Sequence, residues 1–427
     1  MMRDDLSLLK QGALHLRSSS AGQRTRMLEL LADSIEANTE LLLSENERDC
    51  QEHAHSLAPA LAQRLHLSRE KVEALVAGIR EISRQPDPLG AVMSRTQLDQ
   101  GLTLEKVSIP LGVIAVIFES RPDVFFQVLG LSLRSGNGVV LKGGYEATHS
   151  NRAMYRIARE AFAHNELPAE WFTLIEGRES VSELLKCDDL IDLVIPRGSN
   201  EFVRFIQENS RIPVLGHAAG VCHLYIDRSA SHGQAVEIVL DAKTQYPAAC
   251  NAVETVLIHE EIALEFVPKL ATALQSAAVY LRGCARCEEI LGTVDRVGDD
   301  QWGTEYGALV IALKVVPSLD AAIAHVNTFG SHHTDGILAT DELACARFTD
   351  LVDSASVFVN CSTRFADGYR FGLGAEVGIG TGKLHARGPV GIEGLLTYKY
   401  ILRGSGQVVS TYSGCNPRVF RFKRLER

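Results

Sequence analysis

The sequence has no apolar run of transmembrane length, no signal-like start and no linker-sized disordered tract. A membrane span needs about 20 consecutive apolar residues, so a membrane-embedded protein is not expected, and a reducing cytoplasm is the expected compartment. Positive charge is also in deficit: 43 Lys and Arg against 53 Asp and Glu leave a formal net charge of -10. A nucleic-acid or anionic-membrane surface would have to arise from local clustering against that field, and neither partner is expected. The one basic cluster is the tail RVFRFKRLER, Arg418 to Arg427, which reads as a solvated or subunit-contacting terminus. Cysteine is sparse and odd in number, nine residues scattered over a long chain, which again suits a reducing cytoplasm. The only C-x-x-C, Cys284 to Cys287, lacks a second pair or a nearby His and supplies half a tetrahedral zinc site. No metal is expected.

What is present is enough apolar residue for two or three cores: 427 residues, 46% hydrophobic and 22% charged. The first ninety residues carry apolar positions at three-to-four spacing and predict helices, one of them capped by Ser68, with Pro86 and Pro88 ending the series. Residues 91–110 alternate polar and apolar about Asp99-Gln100-Gly101 and predict a two-stranded ribbon. From Gly112 the texture changes to short Val- and Ile-rich runs, GVIAVIF, GVVLKGG, WFTLIEG and LIDLVIP, each followed by a helical stretch. A second series, VETVLIH, GALVIALKVV, DGILAT and SVFVN, follows Cys250. Such alternation predicts parallel strands covered on both faces, hence two α/β domains with Cys250 at their junction. The segment TYKYILRGSGQVVSTY returns to alternation and predicts an edge strand or arm.

Cys250 follows Pro247-Ala248-Ala249 at a bend and precedes Asn251, a place where a reactive thiol can be presented. A cysteine hydrolase would need a His base, and no His is near it in sequence. The Gly-rich segment RFGLGAEVGIGTGK fails as a dinucleotide fingerprint, because Val377 stands where the third glycine belongs and the segment follows the last strand. Two strand-to-helix turns are better nucleotide candidates. One is Lys142-Gly143-Gly144, where an ammonium at a strand end suits a ribose or phosphate. The other is Arg197-Gly198-Ser199 at a helix start, which suits a pyrophosphate or 2'-phosphate.

Over nearly its whole length the chain resembles the gamma-glutamyl phosphate reductases (glutamate-5-semialdehyde dehydrogenases) of the aldehyde dehydrogenase superfamily. The segments that carry the resemblance are PLGVIAVIFESRPDV, LKGGYEATHSN, YPAACNAVET, WGTEYG and RFADGYRFGLGAEVGIGTGKLHARGPVGIEGLLTYKY. It implies an aldehyde-dehydrogenase-like fold with two Rossmann-like parallel-sheet domains and a small oligomerisation ribbon and arm. The expected division is 1–90 with 111–245 for the cofactor, 246–396 for the nucleophile, and 91–110 with 397–427 for assembly. It further implies reduction of L-glutamyl 5-phosphate by NADPH to glutamate 5-semialdehyde, the second step of proline synthesis, through a thioester on Cys250. Asn251 is a candidate oxyanion donor. Lys142, Gly143, Gly198, Ser199 and, with them, Arg197 are expected at the cofactor, and Glu305 at its nicotinamide-side ribose. Ser120, Arg121, Arg364, Arg370 and Arg387 are candidates for the phosphate and carboxylate of the substrate, since a guanidinium fork suits both. Expected partners are that small molecule, further copies of the chain and, transiently, glutamate 5-kinase.

The departures inform the chemistry. Hydrolytic aldehyde dehydrogenases present a glutamate base in a Glu-Leu-Gly-Gly segment, whereas the matching segment here, VLGHAAG (214–220), holds no carboxylate. His217 is the one group there that could activate water. Asp123 replaces a common asparagine, and the bulky FFQVLGLSL follows it. The rival readings are a hydrolytic aldehyde dehydrogenase, a catalytically silent protein of the same fold, and a cysteine hydrolase or acyltransferase.

Overall fold

A computed structural model of the chain describes residues 2–57, 59–163, 169–177, 180–217 and 219–426. The helical start is as expected, with helices Met2–Ser18, Ala21–Ala37, Thr39–His53, Pro59–Leu65 and Arg69–Arg84, and Ser68 Oγ accepts from the Lys71 N–H at 3.3 Å. These helices cover a four-stranded parallel sheet in the order Phe172–Leu174, Gly138–Gly143, Val113–Phe118, Leu193–Arg197. Alternation explains the apolar runs. Ile114, Val116 and Phe118 enter the core under helices Ala21–Ala37 and Arg69–Arg84, while Val113, Ala115 and Ile117 enter the core shared with Leu6 and Leu9 of the first helix.

A second parallel sheet has seven strands in the order Asp295–Arg296, Tyr280–Gly283, Val310–Val316, Val253–His259, Cys222–Ile226, Thr334–Leu338, Ser356–Val359. Here too both faces are buried: Val256 and Ile258 join one core and Leu257 another. Strand Cys222–Ile226 and helix His232–Thr244 belong to this unit, so the boundary expected at 245 falls near 221. The strand carries a histidine at its second position and so does not read as an apolar run. His223 is tolerated because its Nδ1 meets Asp335 Oδ1 at 2.8 Å, both side chains being wholly buried. The chain then returns: Ala375, Val377, Val390, Ile392 and Leu395 pack into the first unit's core, so the later part of 246–396 does not belong to the second unit.

The ribbon forms as expected, Val92–Asp99 against Leu102–Pro110. Its outer edges are paired within the same chain, Leu396–Arg403 on one side and Lys423–Leu425 on the other, so the segments expected for assembly form one sheet with each other. An antiparallel ribbon with two open edges is marginal, and the chain's own ends supply the missing strands. Among the described residues no helix is long and apolar enough to cross a membrane.

Candidate active site

The two sheets meet head to tail. The carboxyl ends of the first sheet's strands lead to Ser120, Lys142-Gly143 and Arg197, while the residues just before three neighbouring strands of the second sheet include His217, Gly220, Cys250 and His333. Strands Val253–His259, Cys222–Ile226 and Thr334–Leu338 are neighbours, and adjacent strands lie about 4.8 Å apart. Three loops remote in sequence therefore converge on one point.

That point is a thiol between two imidazoles. Ligating atoms of His217, Cys250 and His333 all lie within 4.8 Å of one another, and the two rings meet edge to face at 4.8 Å. Burial opposes ionisation of the Cys250 thiol, but the charges of His333 and His217 outweigh it and hold the thiol well below its ordinary value. His217 shows the reciprocal effect: burial works against its charge, yet the thiolate raises it above the usual imidazole value. The bend that presents Cys250 is a turn closed by Ala249 N–H on Tyr246 C=O at 3.1 Å and Ala252 N–H on Ala249 C=O at 2.9 Å. Cys222 donates its thiol to the Cys250 carbonyl at 3.2 Å, and burial keeps that thiol protonated. Gly220 packs directly on the Cys250 backbone, where a Cβ would overlap it, so only glycine fits. Asn251 is buried and its amide donates to Ala366 C=O at 2.8 Å. One N–H of that amide thus ties down the 363–366 loop.

On the substrate side the structure separates the four expected arginines, Arg121, Arg364, Arg370 and Arg387, into those near Cys250 and one that is not. Arg364 is 8% exposed, its Nε donates to Gln245 Oε1 at 2.8 Å, and its charge is felt at Cys250. Arg370 reaches the Arg364 carbonyl at 2.7 Å. Arg121 lies beside Arg197 and pairs with no carboxylate among the described residues. Arg197 faces Glu376 at 3.7 Å and the Cys250 thiolate, which moves it from the expected cofactor group to the substrate side. Arg387 is elsewhere: its guanidinium is held by Asp353 Oδ1 at 3.0 Å, Asp353 C=O at 3.1 Å and Thr381 C=O at 3.3 Å. Ser120 is 1% exposed, with its N–H and hydroxyl both on Glu146, and so is occupied away from substrate; its φ of 47° marks a strained bend. The bulk after Asp123 is core, since Phe125 and Phe126 are wholly buried against each other.

Three of the six cofactor candidates, Lys142, Gly143 and Ser199, line a cleft of about 700 Å³ together with Glu119, Gly144 and Thr148, whereas Arg197, Gly198 and Glu305 are not among its lining residues. Lys142 is 7% exposed and its ammonium donates to Gly143 C=O at 2.6 Å; burial lowers its pKa, while Glu146 and Glu119 favour its charge. Gly143 lies so close to Asn151 that a Cβ would collide with its amide. Ser199 caps helix Asn200–Asn209 by accepting from Phe202 N–H at 3.3 Å. Helix Thr148–Phe162 has no cap from its own N-cap residue; Asp49 caps it, accepting from His149 N–H at 3.0 Å and Ser150 N–H at 2.8 Å. Glu305 accepts from Asn200 Nδ2 at 2.6 Å and so stands at the mouth between the two units. Below it a wholly buried pair, Lys243 and Glu254 at 2.6 Å, holds Gly307 N–H at 3.2 Å and fixes the Glu305 loop. A walled cleft with small residues at two strand ends, a helix N-terminus and one buried ammonium fits a nicotinamide dinucleotide.

Sequence reasoning missed His333, Gly220, Glu376 and Asp49. His333 precedes a strand in SHHTDGIL, and only the pairing of that strand with Cys222–Ile226 brings it to Cys250. Residues 10–281 match the aldehyde dehydrogenase family. The chain is 50% identical over 412 residues to the gamma-glutamyl phosphate reductase of Synechococcus elongatus, covering 96% of this chain and 95% of that one. Its fold superposes on the crystal structure of gamma-glutamyl phosphate reductase from Thermotoga maritima with a TM-score of 0.91 at 35% identity, covering 95% of this chain and 99% of that one. A glyceraldehyde-3-phosphate dehydrogenase from Methanocaldococcus jannaschii, solved in complex with NADP, shares the fold at a TM-score of 0.67 and 16% identity, over 94% of each chain. The chain belongs to the aldehyde dehydrogenase family and, within it, to the gamma-glutamyl phosphate reductases.

Proposed function

We propose that the protein reduces L-glutamyl 5-phosphate to glutamate 5-semialdehyde, with release of phosphate, through a thioester on Cys250. The observation that carries the reading is the thiolate of Cys250 held between His217 and His333, beside Arg197 and Arg364. The thiolate attacks the acyl carbon, and the C–O bond to phosphate breaks. Phosphate leaves as a strong base unless protonated, and the imidazolium of His217, close to the thiolate, is proposed to give it that proton. The Cys250 N–H is the donor proposed for the oxyanion, a contribution of roughly 3 kcal/mol. Arg121, Arg197, Arg364 and Arg370 are proposed to hold the phosphate and the substrate carboxylate. The cofactor, when bound along Lys142, Gly143, Gly198, Ser199 and Glu305, supplies a hydride to the acyl carbon. Collapse of the resulting thiohemiacetal alkoxide returns the thiolate and frees the aldehyde.

The segment before strand Cys222–Ile226 offers no carboxylate to activate water, which supports a thioester that survives until it is reduced. Ala218 of that segment lies outside the described residues. His217 has its Nδ1 against the Ile379 carbonyl at 3.2 Å. We further infer NADPH as the reductant, from the ammonium of Lys142 and the guanidinium of Arg152 on the cleft wall. The cytoplasm is proposed from nine free thiols, and a homo-oligomer from the exposed aromatic strand Leu396–Arg403. Transient contact with glutamate 5-kinase is proposed because an acyl phosphate is prone to hydrolysis in transit. The test is semialdehyde oxidation with NADP in phosphate-free buffer, with free glutamate quantified. Oxidation should require phosphate or arsenate. Rapid phosphate-independent release of glutamate that disappears in His217→Ala would make the protein a hydrolytic dehydrogenase.

A further inference from the structure

The cluster that activates Cys250 has a second chemical capacity. Both of its imidazoles are anchored through one nitrogen: His217 Nδ1 lies 3.2 Å from the Ile379 carbonyl, and His333 Nδ1 lies 2.9 Å from Thr334 Oγ1. Each ring thus keeps Nε2 for another partner. His333 is wholly buried, and its Nε2 has no hydrogen-bond partner among the described residues. A histidine whose far nitrogen is fixed by a carbonyl or hydroxyl while the near one is left unpartnered is the usual environment of a metal-ligating imidazole. The third atom is the Cys250 sulfur, and all three ligating atoms fall within 4.8 Å of one another.

We propose that His217, Cys250 and His333 form a reversible inhibitory site for a soft divalent cation of the zinc class. Zinc takes sulfur at about 2.3 Å and imidazole nitrogen at about 2.0–2.1 Å in a tetrahedron, so its ligand atoms sit roughly 3.5 Å apart. Binding therefore requires the ligating atoms, now within 4.8 Å of one another, to close to about 3.5 Å. Three protein ligands leave the fourth position for water or a substrate oxygen. The positive charge of Arg197 at the rim is offset by Glu376 at 3.7 Å. The ion and the thioester exclude each other, because both need the same sulfur. The binding site stands on geometry alone, and only its inhibitory effect rests on Cys250 being the nucleophile. Cys284 and Cys287, with sulfurs 3.6 Å apart, are the competing soft site, but they bring two ligands and no third.

The experiment titrates Zn²⁺ into the metal-free full-length chain by calorimetry, in buffer without phosphate or thiols, and repeats the titration with Co²⁺ as an absorption probe. One ion per chain should bind, with a thiolate-to-cobalt charge-transfer band in the near ultraviolet. Affinity should fall by at least about tenfold in Cys250→Ser and in His217→Gln, and persist in the double variant Cys284→Ser/Cys287→Ser. His333→Gln, checked for native circular dichroism, should weaken binding likewise. Zinc should also protect Cys250 from iodoacetamide, and a chelator should restore labelling. Absence of binding, binding indifferent to Cys250→Ser, or binding that follows Cys284 and Cys287 would overturn the site. Binding with the expected dependences in a chain that shows no phosphate-dependent turnover would sustain the site and overturn the proposed function instead.

Discussion

Set between His217 and His333, Cys250 should react with iodoacetamide at a rate that is flat from neutral to alkaline pH and falls only in acid. The sign follows from its lowered pKa: the thiolate is already formed at neutrality and is lost when protons return. An ordinary thiol, with a pKa of about 8.5, would instead react faster as pH rises through that value. His217→Ala should move the inflection upward and cut turnover roughly 10²- to 10³-fold, while Cys250→Ala should fold normally and lose about 10⁴-fold or more. Wild-type alkylation that inflects at the ordinary thiol value would refute the pairing. At the cofactor, Lys142→Met should raise the KM for NADPH more than that for NADH; equal rises would place the ammonium on the common part of the dinucleotide. These residues differ in how visible they were beforehand. Cys250, Lys142 and Ser199 stand at bends and strand ends that a local reading finds. Arg387 looked the same in sequence whether it faced substrate or Asp353, and His333 carried no local mark because its meaning is set by which strands are neighbours.

At the scale of elements, helix Thr148–Phe162 depends on a carboxylate from another helix. Asp49 of Thr39–His53 is 1% exposed and accepts from two N–H groups at the start of that helix as well as from Ser150 Oγ at 2.6 Å. Asp49→Ala should lower stability by about 2 kcal/mol, read from urea midpoints, and raise the KM for the cofactor, since Thr148, Asn151 and Arg152 of the same helix line the cleft. A stability loss with unchanged KM would separate the cap from the cleft. The periodicity of the sequence placed the four strands of the first sheet and four of the seven in the second, because parallel strands buried on both faces must be apolar at every position. It missed Cys222–Ile226 for the same reason, as His223 interrupts the run and is paid for only by Asp335 on the adjoining strand. Caps supplied across the fold, as by Asp49, have no signature in the segment they serve.

For the whole molecule, the ribbon sheet ends in Leu396–Arg403, whose Tyr398, Tyr400 and Leu402 are 45%, 60% and 56% exposed. Such a strand edge invites another chain. Tyr400→Glu combined with Leu402→Lys should yield smaller particles by sedimentation with the fold intact, and an unchanged mass would count against an interface there. Deleting residues after Leu396 is a harsher test, because it also strips both outer strands from the ribbon. Domain count and class were legible from length and texture, whereas the return of 375–395 to the first core was not, since a chain that crosses back leaves no compositional boundary. The head-to-tail meeting of the two sheets also sets the field in the cleft. Helices in a parallel sheet point their positive ends toward the carboxyl edge and their negative ends toward the amino edge. The phosphates of a dinucleotide bound at the first sheet would therefore be met by the positive end of helix Asn200–Asn209. The thiolate is met by the trailing, negative ends of His232–Thr244 and Leu319–Phe329, which run into the loops of Cys250 and His333. The two imidazoles, with the nearby guanidinium groups of Arg197 and Arg364, therefore ionise this cysteine against both burial and those helix ends.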